Sequence, residues 1–212
     1  MPARYISTFL ADLCATFFLQ SGQAQTDLGN PLAGLEQLKD FQSMRASSSD
    51  PDWKNGNADS RSIEPGKTLT LAELHGPGMI VHFWCTIAHP DPFYSRLLTL
   101  RIYWDGEMNP SVECPIGDFF GVGQGLDRSF TSLPVRVTSD GRGRNYYWPM
   151  PFCKSARITV SNDSDRRCNS FYYYIDWQIH PSLPKDTAYF HAIYRQEFPC
   201  VMGRNYQIAD IV

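Results

Sequence analysis

The segment "NSFYYYIDWQIHP", Asn169 to Pro181, alternates without a break. Phe171, Tyr173, Ile175, Trp177 and Ile179 fall on one face, with Tyr172, Tyr174, Asp176 and Gln178 on the other. A period of two over that length describes a strand with one buried and one solvated side. The pattern recurs in "GMIVHFWCTIAH", where Met79, Val81, Phe83, Cys85 and Ile87 share a face. It recurs in "RLLTLRIYWDGE", with Leu98, Leu100, Ile102 and Trp104 ahead of Asp105-Gly106, a hairpin-turn dipeptide. "SARITVSND" repeats it with Ala156, Ile158 and Val160. Pro/Gly-rich connections separate these strands and no helical period falls between them. The chain is therefore expected to be all-β, an antiparallel sandwich rather than a set of βαβ units, and specifically a jelly roll.

Upstream, "NPLAGLEQLKDFQSMRA" spaces Leu32, Leu35, Leu38 and Phe41 as one short amphipathic helix. The Ser/Asp/Asn/Gly/Pro-dense "SSSDPDWKNGNADSRSIEPGK" that follows reads as loop. Residues 1–24 have the layout of a signal peptide, with Arg4, an apolar stretch through Leu13–Leu19 and a small-residue exit at Ala24. That run is too short for a membrane span, which takes about 20 apolar residues, so a secreted or periplasmic protein is expected. The organisation expected is a signal at 1–24, a helix and polar loop at 25–62, and a jelly roll at 63–212. The closing "FPCVMGRNYQIADIV" reads as an apolar strand-like edge in search of a partner.

Of 212 residues, 42% are hydrophobic and 19% charged, enough for one packed domain. A net charge of -3 lacks the basic stripe of a nucleic-acid binder. The short run "GRGRN", with Arg142 and Arg144, suits a sugar site or a solvated loop better. The six cysteines have no CxxC or Cys/His spacing, and His75, His82 and His89 match no metal motif, so neither metal nor cofactor is expected.

"PSVECPIGDFFGVGQG", Pro110 to Gly125, is rich in glycine but is followed by "LDRSFTSLPVRV", which has no helical period. A phosphate cradle needs a helix there, so these glycines serve a tight loop. If the stretch is extended, Phe119 and Phe120 point opposite ways, one into the core and one to a surface. No GxSxG elbow is present, and Asp50, Asp59, Asp105, Glu107, Glu113 and Asp118 announce no catalytic pair. Aromatic residues make up 14% of the chain, and rings beside polar loops suit the faces and hydroxyls of a sugar. The expected ligand or subunit contacts are Ser48, Asp50, Asn57, Asp59, Asp118, Phe119 and Phe120.

The succession "RASSSDPDWKNGNAD", "GPGMIVHFW", "DGEMNPSVECPIGDFFGVGQG", "NYYWPMPFCKSARITVSN" and "YYYIDWQIH" resembles the N-terminal half of glycoside hydrolase family 172. The resemblance implies the first of two jelly rolls, trimeric assembly, and retaining action on α-D-fructofuranosides or D-arabinofuranosides. The family's two catalytic glutamates lie in its second jelly roll, in strings resembling "GWWGEGDD" and "GTEDYF", and neither string occurs in this sequence. The expectation is a jelly-roll half without a catalytic residue of its own. It would act with a furanose-containing saccharide and with a homotrimer or a partner carrying the second jelly roll. The alternative is a non-catalytic structural or carbohydrate-binding module.

Overall fold

A computed structural model describes residues 34–52, 54, 56 and 58–209. The expected signal peptide and Asn57 lie outside the described residues. The described residues fall into two units that divide between Lys39 and Asp40. In the first unit the described residues form a single turn, closed by Gln37 N–H donating to Gly34 O at 3.2 Å. Of the helix expected through Leu32, Leu35, Leu38 and Phe41, Leu32 lies outside the described residues, and the described residues from Gly34 to Phe41 are not helical. One turn cannot meet the cost of helix nucleation, and from Gln42 the backbone is already strand.

The second unit is two sheets, antiparallel throughout except for one short parallel pairing at an edge of the smaller. Its strands are β1 (Gln42–Ser47), β2 (Arg61–Ile63), β3 (Thr68–His75), β4 (Gly78–Ala88), β5 (Leu98–Trp104), β6 (Val112–Pro115) and β7 (Phe130–Thr131). They continue with β8 (Val135–Thr138), β9 (Gly143–Tyr146), β10 (Met150–Phe152), β11 (Ser155–Asn162), β12 (Cys168–Ile179) and β13 (Ala192–Ile193). Two single helical turns, α1 (Tyr94–Leu97) and α2 (Ile116–Phe119), pack on each other and against β5 and β6. The larger sheet runs β1-β12-β4-β9-β8-β7, with β10 also on β4 and β2 on β12, and the smaller runs β13-β6-β5-β11-β3. The pairings are nested: β1 with β12, β3 with β11, β4 with β9 and β10, β5 with β6. A long ribbon whose successive rungs alternate between two sheets is a jelly roll, so the β-sandwich read from the alternating segments holds.

The inward faces interlock. Leu98, Leu100, Ile102 and Trp104 of β5 are buried as the period predicts, as are Phe171, Tyr173, Ile175 and Trp177 of β12. The Tyr173 hydroxyl crosses the sandwich and donates to Leu71 O at 2.8 Å, and Trp104 Nε1 donates to Phe190 O at 2.8 Å. Strand β4 departs from simple alternation. Phe83, Cys85 and Ile87 point inward as expected, but lower in the strand Ile80 is buried and Met79 and Val81 are not. The register explains this: Asp176 faces His82 while the next residue, Trp177, faces Ile80, so Val81 is the extra residue of a β-bulge. One inserted residue turns every side chain beyond it to the other face.

The Asp105-Gly106 turn forms as read, with φ of 54° and 88° and Glu107 N–H donating to Trp104 O at 2.9 Å. Two expectations fail. "IGDF" is the helical turn α2 rather than extended chain, so Phe119 and Phe120 do not diverge, and both are buried. Among the described residues the C-terminal segment is no strand: beyond the two-residue β13, residues 194–209 are irregular, with Phe198 and Met202 exposed. With few apolar contacts, nothing there offsets the entropy of an ordered strand.

Candidate functional site

The outward face of the larger sheet carries aromatic and ionic side chains in register. Tyr174 of β12 lies between Ser47 of β1 and Trp84 of β4, and Asp176 lies between Arg45 and His82. Trp84 and Tyr174 stack, centroids 4.9 Å apart and planes 22° apart, and the Arg45 guanidinium sits 4.6 Å from the Tyr174 centroid. Beside the stacked rings is a cavity of about 140 Å³, lined by Ser48, Ser49, Asp59, Trp84, Thr86 and Tyr172 as well as Tyr174. Rings on one side and hydroxyls with a carboxylate on the other make an amphipathic pocket.

A neighbouring network holds this surface rigid. Asp176 accepts from Arg45 Nε at 2.6 Å and Nη2 at 3.1 Å, and pairs with His82 Nδ1 at 2.9 Å. Burial pulls its carboxyl upward, but the hydrogen bonds from Arg45 and His82 prevail and hold it below the ordinary carboxylate range. It therefore stays ionised and positions the rings; it is no proton donor. His82 also contacts Asn145 Oδ1 at 3.2 Å through Nε2 and stacks on Tyr147 at 4.8 Å.

The residues expected to make contacts are not gathered into one wall. Asp59 lines the ring cavity. Ser48 is only 2% exposed and forms its floor: its Oγ accepts the Tyr173 N–H at 3.0 Å and its own N–H donates to Tyr173 O at 3.1 Å. Asp50 folds its own loop, its Oδ1 accepting from Asp52 N–H at 2.8 Å. Asp118 and Phe119 line a separate cavity of about 270 Å³, with Cys114, Tyr146 and Tyr194 among its walls. There Asp118 pairs with Arg96 Nε at 2.8 Å, and burial pushes its carboxyl above the usual value despite that neighbour. Phe119 stacks on Tyr146 at 4.1 Å, and Phe120 belongs to the core, edge-on to Phe83 at 5.5 Å.

Trp84 and Tyr174 are not among the expected contacts, although alternation alone puts Tyr172, Tyr174 and Asp176 on the solvent face of β12. Their meeting with Trp84 depends on cross-strand register. The run "GRGRN" suggests a solvated loop or a sugar site, but its Arg144 lies buried on β9. It is 2% exposed, and its Nη2 donates to Tyr94 Oη, Ser95 Oγ and Asp127 Oδ1 at 2.8–2.9 Å.

The ring cavity has one carboxylate, Asp59, among its described residues. Cleaving a glycosidic bond takes two, about 5–9 Å apart. Among the described residues no cluster of three or more His, Cys, Asp or Glu could hold a metal ion. No curated protein matches the chain. A family model described as GH172 domain-like matches residues 54–173, the span that contains Asp59, Trp84, Thr86 and Tyr172.

Proposed function

The chain belongs to the GH172 domain-like family, a glycoside hydrolase family, and on that premise we propose that its jelly roll is the carbohydrate-facing half of a secreted furanoside hydrolase. The substrates are α-D-fructofuranosides or D-arabinofuranosides, and the catalytic glutamate pair comes from a second jelly roll. One observation carries this reading: the Trp84–Tyr174 stack, 4.9 Å between centroids, beside a pocket of hydroxyls and the Asp59 carboxylate. The flat rings cover the apolar face of a sugar, while Ser49, Thr86, Tyr172 and Asp59 exchange hydrogen bonds with its hydroxyls. The locked Arg45–Asp176 pair supports preorganisation, because it fixes the Tyr174 ring before any ligand arrives.

The test is a calorimetric titration of the full chain with a D-arabinofuranose oligosaccharide, together with an assay on p-nitrophenyl α-D-arabinofuranoside. Binding is expected, and Trp84→Ala is expected to weaken it about ten-fold or more, equivalent to ~1.4 kcal/mol. No turnover is expected from this chain alone. Turnover abolished by one Asp or Glu substitution within it would overturn the non-catalytic assignment. A second reading, a stand-alone carbohydrate-binding or trimer-forming module, draws on the same single-carboxylate cavity. Activity regained on adding the second jelly roll as a separate polypeptide would exclude it.

A further inference from the structure

We propose that the outer face of the smaller sheet carries a second saccharide site, on the opposite side of the sandwich from the Trp84 cavity. A cavity of about 390 Å³ lies there, lined by Glu73, His75, Tyr103, Glu107, Met108 and Arg157 among others. Three of these form one row across three strands: Glu73 of β3 faces Arg157 of β11, which faces Tyr103 of β5.

The row behaves unlike its neighbour. On the same sheet Arg101 stands directly opposite Glu113, and the two close an ion pair at 2.7 Å. Arg157 stands directly opposite Glu73 in the same antiparallel relation, yet it turns away and lays its guanidinium 3.9 Å over the Tyr103 ring. Six other arginines of the described residues pair with a carboxylate. Among the described residues the side chains of Glu73, His75 and Arg157 make no hydrogen bond or ion pair. The cavity therefore presents a guanidinium held flat by a ring with its N–H fork unspent, and an unspent carboxylate across from it.

That combination defines the ligand chemistry. Adjacent hydroxyls each donate to a carboxylate and accept from a guanidinium, so a vicinal diol satisfies Glu73 and Arg157 together. Glu73 and Glu107 against Arg157 leave a formal charge of -1 with His75 neutral, which disfavours phosphate or a uronate. Met108, 91% exposed, supplies an apolar wall for the C–H face of a sugar ring. The assignment is to the end unit of a neutral saccharide. The choice of a furanose probe rests on the proposed function, while the site itself rests on the row just described.

The ¹⁵N-labelled full chain is titrated with a D-arabinofuranose oligosaccharide, and separately with inorganic phosphate, while backbone amide shifts are followed by NMR. The expected result is saccharide-dependent shifts at Tyr103, Gly106 and Arg157. Glu73→Gln and Arg157→Ala should each weaken these at least ten-fold and leave the shifts around Trp84 and Tyr174 unchanged. Shifts confined to Trp84 and Tyr174 would overturn this inference and leave the proposed function standing. Shifts with phosphate alone, or concentration-dependent broadening of this face by a second copy of the chain, would also overturn it. Shifts on neither face would count against both.

Discussion

Arg144 Nη2 stands 2.8 Å from Asp127 Oδ1, and by that contact β9 holds the loop that follows the glycine-rich stretch against the sandwich. The guanidinium is nearly inaccessible, and burial lowers its pKa, but its neighbours Cys85, Tyr94 and Asp127 outweigh that and raise it overall. Removing the carboxylate leaves a buried cation short of a partner. Asp127→Ala is expected to cost about 3 kcal/mol, the low end for breaking a buried pair, read as a lower midpoint in urea unfolding. Arg144→Met should cost less than Asp127→Ala, because it removes the charge together with its desolvation penalty.

The glycines of "GVGQG" are not equivalent. Gly121 and Gly125 have φ of 76° and 69°, and a Cβ on Gly121 would meet the Phe130 ring at 3.0 Å. Gly123 has ordinary φ, and its nearest neighbour would be Asp118 Oδ1 at 3.4 Å. Gly121→Ala is therefore expected to destabilise by about 1–3 kcal/mol. Gly123→Ala should stay within about 0.5 kcal/mol of the parent. Equal losses at both positions in thermal unfolding would refute this assignment.

Asp105 ties the turn after β5 to the start of β11. Its carboxylate accepts from Lys154 N–H at 2.6 Å and Ser155 N–H at 3.1 Å, and from the Tyr189 hydroxyl. Burial alone would raise its pKa, but these hydrogen bonds prevail and hold it below the usual value. The unfolded chain therefore takes up the proton first as pH falls. The contribution is complete above the unfolded value of about 3.9 and is lost as pH drops through the lower, folded one. Unfolding free energies of the parent should fall more steeply below about pH 4 than those of Asp105→Asn.

The cysteines should separate sharply by reactivity. No disulfide joins Cys85, Cys114, Cys153, Cys168 and Cys200. Burial pushes the thiols of Cys85 and Cys114 up to about 12 and that of Cys168 to about 11, while Cys153 and Cys200 are exposed. Iodoacetamide on the native protein at pH 8 should label Cys153 and Cys200 orders of magnitude faster than the other three. Peptide mass mapping of a timed reaction checks this.

Much of the sandwich was legible without coordinates because burial on one side of a sheet imposes a period of two. Leu98 through Trp104 and Phe171 through Ile179 carry that period intact, and Asp105-Gly106 names its own turn, since both residues must take positive φ. Local pattern went astray where a non-local partner decided the outcome. The bulge at Val81 exists only against β12, so Met79 and Ile80 exchanged faces. Phe119 ends a helical turn and Phe120 follows it, and both rings pack on Phe83 and Tyr146, residues distant in the chain. The candidate site divides the same way. The sequence by itself determined that Tyr172, Tyr174 and Asp176 face solvent, because alternation is a property of one strand. Only the tertiary structure decided that Trp84 stacks on Tyr174 and that Arg157 lies on Tyr103 instead of pairing with Glu73. Those contacts arise from register between strands far apart in sequence, which no local periodicity encodes.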